Sequence, residues 1–377
     1  MGYLKKDCGI KYGKGEGSNM EKTREIYFDI LKIVASFLVV FNHTGGNGFS
    51  LFITYEPNRI KFWICLGMAI LCKVAVPLFL TVSGALLLPK LEEDIKDIWE
   101  KRIGKMFMVL FVFSFVSYSW DVIENGREFS IREFLQGIYS SQWNYAYWYL
   151  YAYIGFLICL PILRAIVRTF ETKEYLYLFG IATVLSGVIP VMEFLLGLNV
   201  ELNRNLNIFW LTNSIFVYPL LGYFLQYKLE KIYDLKRLFK LWLVDIIGIV
   251  IVMLVTAEGV KRGVFVDEGT AQRFFEAFAL LNCAVIFVTV KSLATKRRIV
   301  KFERMISMIG KCTFGIYLIH PILMWQVLDH VNFCGFFIKE WNWDFIPAGV
   351  LFAVIIWFVS LVITMAVKKI PYIGSII

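Results

Sequence analysis

The chain has 377 residues, of which 58% are hydrophobic and 18% charged, with a formal net charge of +9 and a mean hydropathy of +0.65. Soluble domains run at roughly 45–50% apolar and about 25% charged. A water-exposed globule could not cover this much apolar surface, so lipid is the expected solvent for most of the chain; a cytoplasmic enzyme, a disordered tail and a secreted disulfide scaffold are excluded.

Along the chain, a basic, Gly-containing segment 1–27 reads as a disordered cytoplasmic tail. It has no phosphate-loop spacing and no small-x-small cleavage site before the first apolar stretch, which therefore reads as a signal anchor. About ten apolar segments then follow, each long enough to cross about 30 Å of hydrocarbon: 29–46, 62–88, 105–123, 146–167, 175–197, 206–227, 239–257, 274–292, 307–328 and 345–367. Trp143, Tyr145 and Tyr147 close the longest outward loop and suit a membrane interface. Residues 371–377 form a short C-terminal tail.

The basic residues test this count. With both termini cytoplasmic, 28 Lys and Arg fall in inward segments, nine in outward loops, and Lys32 and Lys73 within spans. That asymmetry is what the positive-inside rule predicts. The expected fold is therefore an all-α polytopic bundle of about ten transmembrane helices, with residues 28–370 as one membrane domain. The net charge is a topology signal; neither an aromatic-basic RNA motif nor zinc-finger spacing points to nucleic acid. The seven cysteines are scattered without a C-x-x-C pair and suggest neither a disulfide framework nor a metal site.

Ionisable groups inside a span are costly and are functional candidates. The first span carries Asp29, Lys32, Ser36 and His43. At about 100° per residue, with Lys32 as zero, His43 falls at about 20°, Ser36 at about 40° and Asp29 at about 60°, one narrow stripe. Lys32 and His43 are separated by about 16 Å of rise. A cation near the inner surface suits the phosphates of a nucleotide carrier. A neutral imidazole deeper in the bilayer suits proton abstraction from a hydroxyl. Asp29, at i−3 from Lys32, partly neutralises it. Lys73 lies well inside the second span, where pairing with a carboxylate such as Glu193 or Asp245, or a functional role, offsets its cost. His320, followed by Pro321, lies at the same depth as His43. The run Lys296-Arg297-Arg298 reads as positive-inside charge or a headgroup contact, and His330 as a loop residue.

Several motifs resemble one family. Phe28-Asp29-Ile30-Leu31-Lys32 through Asn42-His43 resembles the first helix of the acyltransferase-3 family of integral membrane O-acyltransferases, with Lys32 at the position of the family arginine and ten residues before the histidine. Val76-Pro77-Leu78-Phe79-Leu80-Thr81-Val82-Ser83-Gly84 is similar to its second motif, and Lys101-Arg102 with Lys105 to its basic inner loop. Trp148-Tyr149-Leu150-Tyr151 is similar to its W-[YF]-L helix, with Ala146 where members often carry histidine. Gly310 to Pro321 is similar to its Y-L-x-H-x-P helix. The resemblance implies a multi-pass plasma-membrane enzyme, bacterial by the family's habit, that moves an acyl group, most simply acetyl, from cytoplasmic acetyl-CoA or another acyl-CoA to a hydroxyl of a cell-surface or lipid-linked glycan. It implies His43 as base, supported by Lys32 and Asp29, and substrate contacts from Arg102, Lys105, Lys73, Ser83, Trp148, Tyr317 and His320. No metal is expected. A transporter or flippase for a lipid-linked glycan or small anion is the competing reading, as is a membrane scaffold that has lost catalysis. Against a transporter, Pro77, Pro161 and Pro321 show no matching positions in two halves.

Overall fold

The structure is a computed structural model that describes residues 17–90, 92–197, 202–203, 206, 208–229, 233–296, 302–327, 336, 339, 344–371 and 374. Arg297, Arg298 and His330 lie outside these residues, and so does the tail before Gly17. Every regular element among the described residues is helical.

Among the described residues, six helical segments are long and apolar enough to cross a membrane: Ile60–Leu87, Ile95–Glu124, Tyr145–Thr169, Thr172–Leu196, Leu235–Lys261 and Phe345–Val367; a seventh is counted if one bent pair is a single span. They coincide with six of the expected segments. The other four depart for local reasons. The first belongs to α1 (Gly17–Asn42), which ends at the polar pair Asn42-His43. The segment near 206–227 is interrupted at Asn213, whose side chain caps a ten-residue helix, Ser214–Tyr223, that a π-helical turn extends to Lys228. The segment near 274–292 opens on the end of a 3₁₀ turn, Gln272–Phe274, and becomes α-helical only from Ala279. The segment near 307–328 is bent by 48° between Glu303–Gly310 and Thr313–Trp325.

The second span is itself two helices, α2 (Ile60–Cys72) and α3 (Ala75–Leu87), joined at Lys73-Val74. Pro77 lies in the first turn of α3, where its missing N–H costs no helical bond. Such a break frees backbone polar groups within a span, which is tolerated where protein or a cavity receives them.

Close packing of α3 against α4 (Ser214–Tyr223) depends on two glycines. A Cβ at Gly84 would overlap the Pro219 backbone, and one at Gly222 would overlap the Thr81 carbonyl. Small residues at such crossings let backbones approach, which is how helices associate in lipid. α1 runs through the centre. Its Tyr27, Phe28, Leu31, Ala35 and Val39 enter one apolar core, and its Val40 and Phe41 enter a second. It touches α3 and the helices Ala279–Lys296, α5 (Glu303–Gly310), α6 (Thr313–Pro321) and α7 (Phe345–Val367).

Candidate active site

His43 follows the last residue of α1, and its backbone N–H still bonds the Val39 carbonyl at 3.2 Å. Its Nδ1 stands 3.0 Å from Nε2 of His320 on α6. The rings lie with centroids 5.1 Å apart and 27° between planes, and Trp325 presents an edge to His43 at 5.5 Å. Hydrogen-bond logic assigns the protons. His320 Nδ1 is 3.2 Å from the Ile316 carbonyl oxygen, which only accepts, so this nitrogen carries hydrogen. In a neutral ring Nε2 of His320 is then bare and accepts from His43 Nδ1. The nitrogen left with a free lone pair is Nε2 of His43.

The bend between α5 and α6 and the start of α8 (Trp148–Thr169) hold this pair. Tyr317 donates to the Ala146 carbonyl at 2.6 Å, and Tyr147 donates to the Leu318 carbonyl at 3.1 Å. These reciprocal bonds fasten the turn that carries His320 to the segment before Trp148.

Two cavities flank the stripe on α1. One, of about 290 Å³, is lined by Lys32, Ser83, Tyr153 and Thr313 among apolar Phe79, Val82, Leu86, Met106 and Phe314. The other, of about 80 Å³, is lined by His43 with Asn42, Lys73, Trp148, Ser214, Tyr218 and Glu276. Tyr149 and Tyr317 line both.

The expected residues separate accordingly. Lys32 pairs with Asp29 at 2.5 Å, as the i,i+3 spacing implies. Asp29 packs on Gly310, where a Cβ would meet its side chain at 2.6 Å. Lys32 and Ser83 line the larger cavity, while Lys73 and Trp148 join His43 in the smaller one. His320 is fully buried behind His43. Ser36 shares the stripe but accepts from the Trp357 indole at 2.9 Å, so it binds α1 to α7. Lys105 is exposed and lines neither cavity.

Arg102 sits in a π-helical turn, Ile98–Ile103, and its Nη2 pairs with Glu93 Oε1 at 2.7 Å. The other Glu93 oxygen takes Nη2 of buried Arg164 at 2.7 Å, and Arg164 also donates to the Leu87 carbonyl at 2.9 Å. Burial raises the pKa of the Glu93 carboxyl, but hydrogen bonds from Arg102 and Arg164 outweigh it and hold it below its ordinary value.

The carboxylates expected beside Lys73 each have another partner. Glu193 accepts the Leu202 N–H at 2.8 Å. Asp245 is fully buried beside Asn282, whose amide nitrogen, turned toward it, donates at 2.6 Å. The carboxylate that shares a cavity with Lys73 is Glu276, close enough to feel the lysine charge. Glu276 is the acidic residue inside the 274–292 segment, so the cost of a charge in a span was a signal for it. Tyr153 and Tyr218 carried no comparable signal, because aromatic residues are common throughout this chain, and Tyr149 stood out only within the motif of Trp148.

Helices of spanning length gathered around a histidine pair beside a cavity mark a membrane-integral protein. A family model described as an acyltransferase domain matches residues 25–365. The chain belongs to this family, acyltransferase-3, and is a membrane acyltransferase. No curated protein and no solved structure matched it.

Proposed function

We propose that this protein is an O-acyltransferase of the bacterial plasma membrane, transferring an acyl group, most simply acetyl, from cytoplasmic acyl-CoA to a hydroxyl of a cell-surface or lipid-linked glycan. The observation that carries the reading is the His43–His320 contact, which leaves a lone pair on the imidazole lining the smaller cavity.

The donor enters from the side of Lys32. That cavity is largely apolar with a cation, a lining suited to a pantetheine arm, and Arg102 lies near its Tyr153 wall. The acceptor hydroxyl occupies the cavity of His43. Nε2 of His43 takes the hydroxyl proton as the oxygen attacks the thioester carbonyl. His43 becomes an imidazolium whose Nδ1–H keeps its bond to His320. The Lys73 ammonium, in the same cavity, offsets charge on the tetrahedral oxyanion. Collapse breaks the C–S bond, and the imidazolium returns its proton to the thiolate. Ser214, Tyr218 and Glu276 supply polar contacts to a sugar, with Trp148 as a stacking face.

The test is the His43→Ala protein in proteoliposomes with labelled acetyl-CoA and membrane glycans. Transfer is expected to fall by about 10²–10⁴-fold, the usual contribution of a general base, with the protein still extracted folded. Undiminished transfer overturns the assignment. Flux of a glycan in the absence of any acyl-CoA would favour a transporter instead.

A further inference from the structure

Tyr149 and Tyr317 are walls of both cavities, so their rings stand between the proposed donor and acceptor compartments. The two are held differently. Tyr317 is pinned by its hydroxyl to the Ala146 carbonyl. Tyr149 is held by ring packing: edge-on to Tyr317 at 5.4 Å, and against Tyr153 at 5.8 Å and Phe79 at 6.1 Å. It is the second residue of α8, directly after a short 3₁₀ turn, Tyr145–Tyr147. Among the described residues its hydroxyl has no hydrogen-bond partner. A rotamer change there breaks no polar contact.

The chemistry gives such a ring a task. The cavity of His43 is lined by Asn42, Lys73, Ser214 and Glu276, polar enough to hold water. A base that deprotonates a sugar hydroxyl also deprotonates water. Water attack forms a new C–O bond, breaks the thioester C–S bond and yields free carboxylic acid and CoA thiol, the proton passing through His43 to the thiolate. A thioester in open contact with this wet cavity would be lost.

We propose that Tyr149 is a gating residue: its ring closes the passage between donor and acceptor cavities and swings aside when an acceptor is seated, restricting hydrolysis of the donor. This rests on the donor reading above. The experiment uses the full chain in nanodiscs with acetyl-CoA as the only substrate. Thiol release is followed for the wild type, Tyr149→Ala, Tyr149→Phe and the double variant His43→Ala/Tyr149→Ala, alongside the thermal shift each shows with acetyl-CoA. Tyr149→Ala is expected to release thiol at least tenfold faster than the wild type. Tyr149→Phe, which keeps the ring, stays at the wild-type level, and the double variant falls back to background. Equal release from the wild type and Tyr149→Ala overturns the gate, as does release from Tyr149→Phe that matches Tyr149→Ala. Tyr149→Leu serves if the alanine protein fails to fold. Absence of any acetyl-CoA stabilisation in the wild type overturns the donor reading itself, a separate outcome.

Discussion

His320 makes a chemical statement out of a side chain that sequence reasoning assigned to the substrate. Its Nδ1 is committed to a carbonyl, so its only role toward His43 is to accept. Replacing His320 with Phe removes that acceptor and frees His43 to adopt the other tautomer or rotate. By the precedent of an imidazole that loses its orienting partner, kcat should drop by about 10²-fold or more, and KM for the acceptor should change little. Steady-state kinetics on the variant provide the check, and a KM effect with unaltered kcat would instead make His320 a substrate contact. The stripe of Asp29, Lys32 and His43 was legible because 100° per residue is a strong constraint on any helix. The contact across 277 residues was not, because helical phase says nothing about which other helix faces the stripe. Ser36 shows the same limit: it has the right angle and a different partner.

Among elements, the crossing of α3 and α4 is the tightest constraint. Because Gly222 sits against the Thr81 carbonyl, Gly222→Val must push apart two backbones, not a flexible side chain. Overpacking of this kind costs about 1–3 kcal/mol or more. The expected result is a lowered unfolding midpoint in detergent, with lost transfer following from displacement of Lys73 and Ser214, which sit at the ends of these two helices nearest the smaller cavity. An unchanged midpoint would mean that the crossing relaxes at no cost. Element types were readable from hydropathy, and six spans lie where they were expected. Lengths were less readable where the chain breaks. Asn213 and the Lys311-Cys312 bend interrupt continuous apolar runs, and a composition window cannot register a change of direction.

Across the whole molecule, Glu93 joins two arginines that come from separate parts of the chain. Its folded pKa is depressed, so the stability it contributes is present above the unfolded carboxylate value of about 4.3 and disappears as pH falls through the folded value. Glu93→Gln leaves the buried Arg164 guanidinium without its counter-charge, an effect of roughly 3–5 kcal/mol at neutral pH. Thermal unfolding in detergent should show the variant well below the wild type at pH 7, the two converging only as pH falls through the depressed folded value. A gap independent of pH would assign the loss to packing. In the sequence, Arg164 was one of many inward-facing basic residues and the motif around Arg102 pointed to substrate, so nothing in their spacing marked an ion-pair pillar.

His43 and the residue that fixes its tautomer are 277 residues apart, so the first helix leaves the ribosome well before His320 does. A nascent chain that lacks α6 thus carries His43 without the acceptor for its Nδ1. On the proposed function, reactivity toward thioesters begins only once this later helix has docked, which keeps an unfinished copy from hydrolysing activated acyl groups.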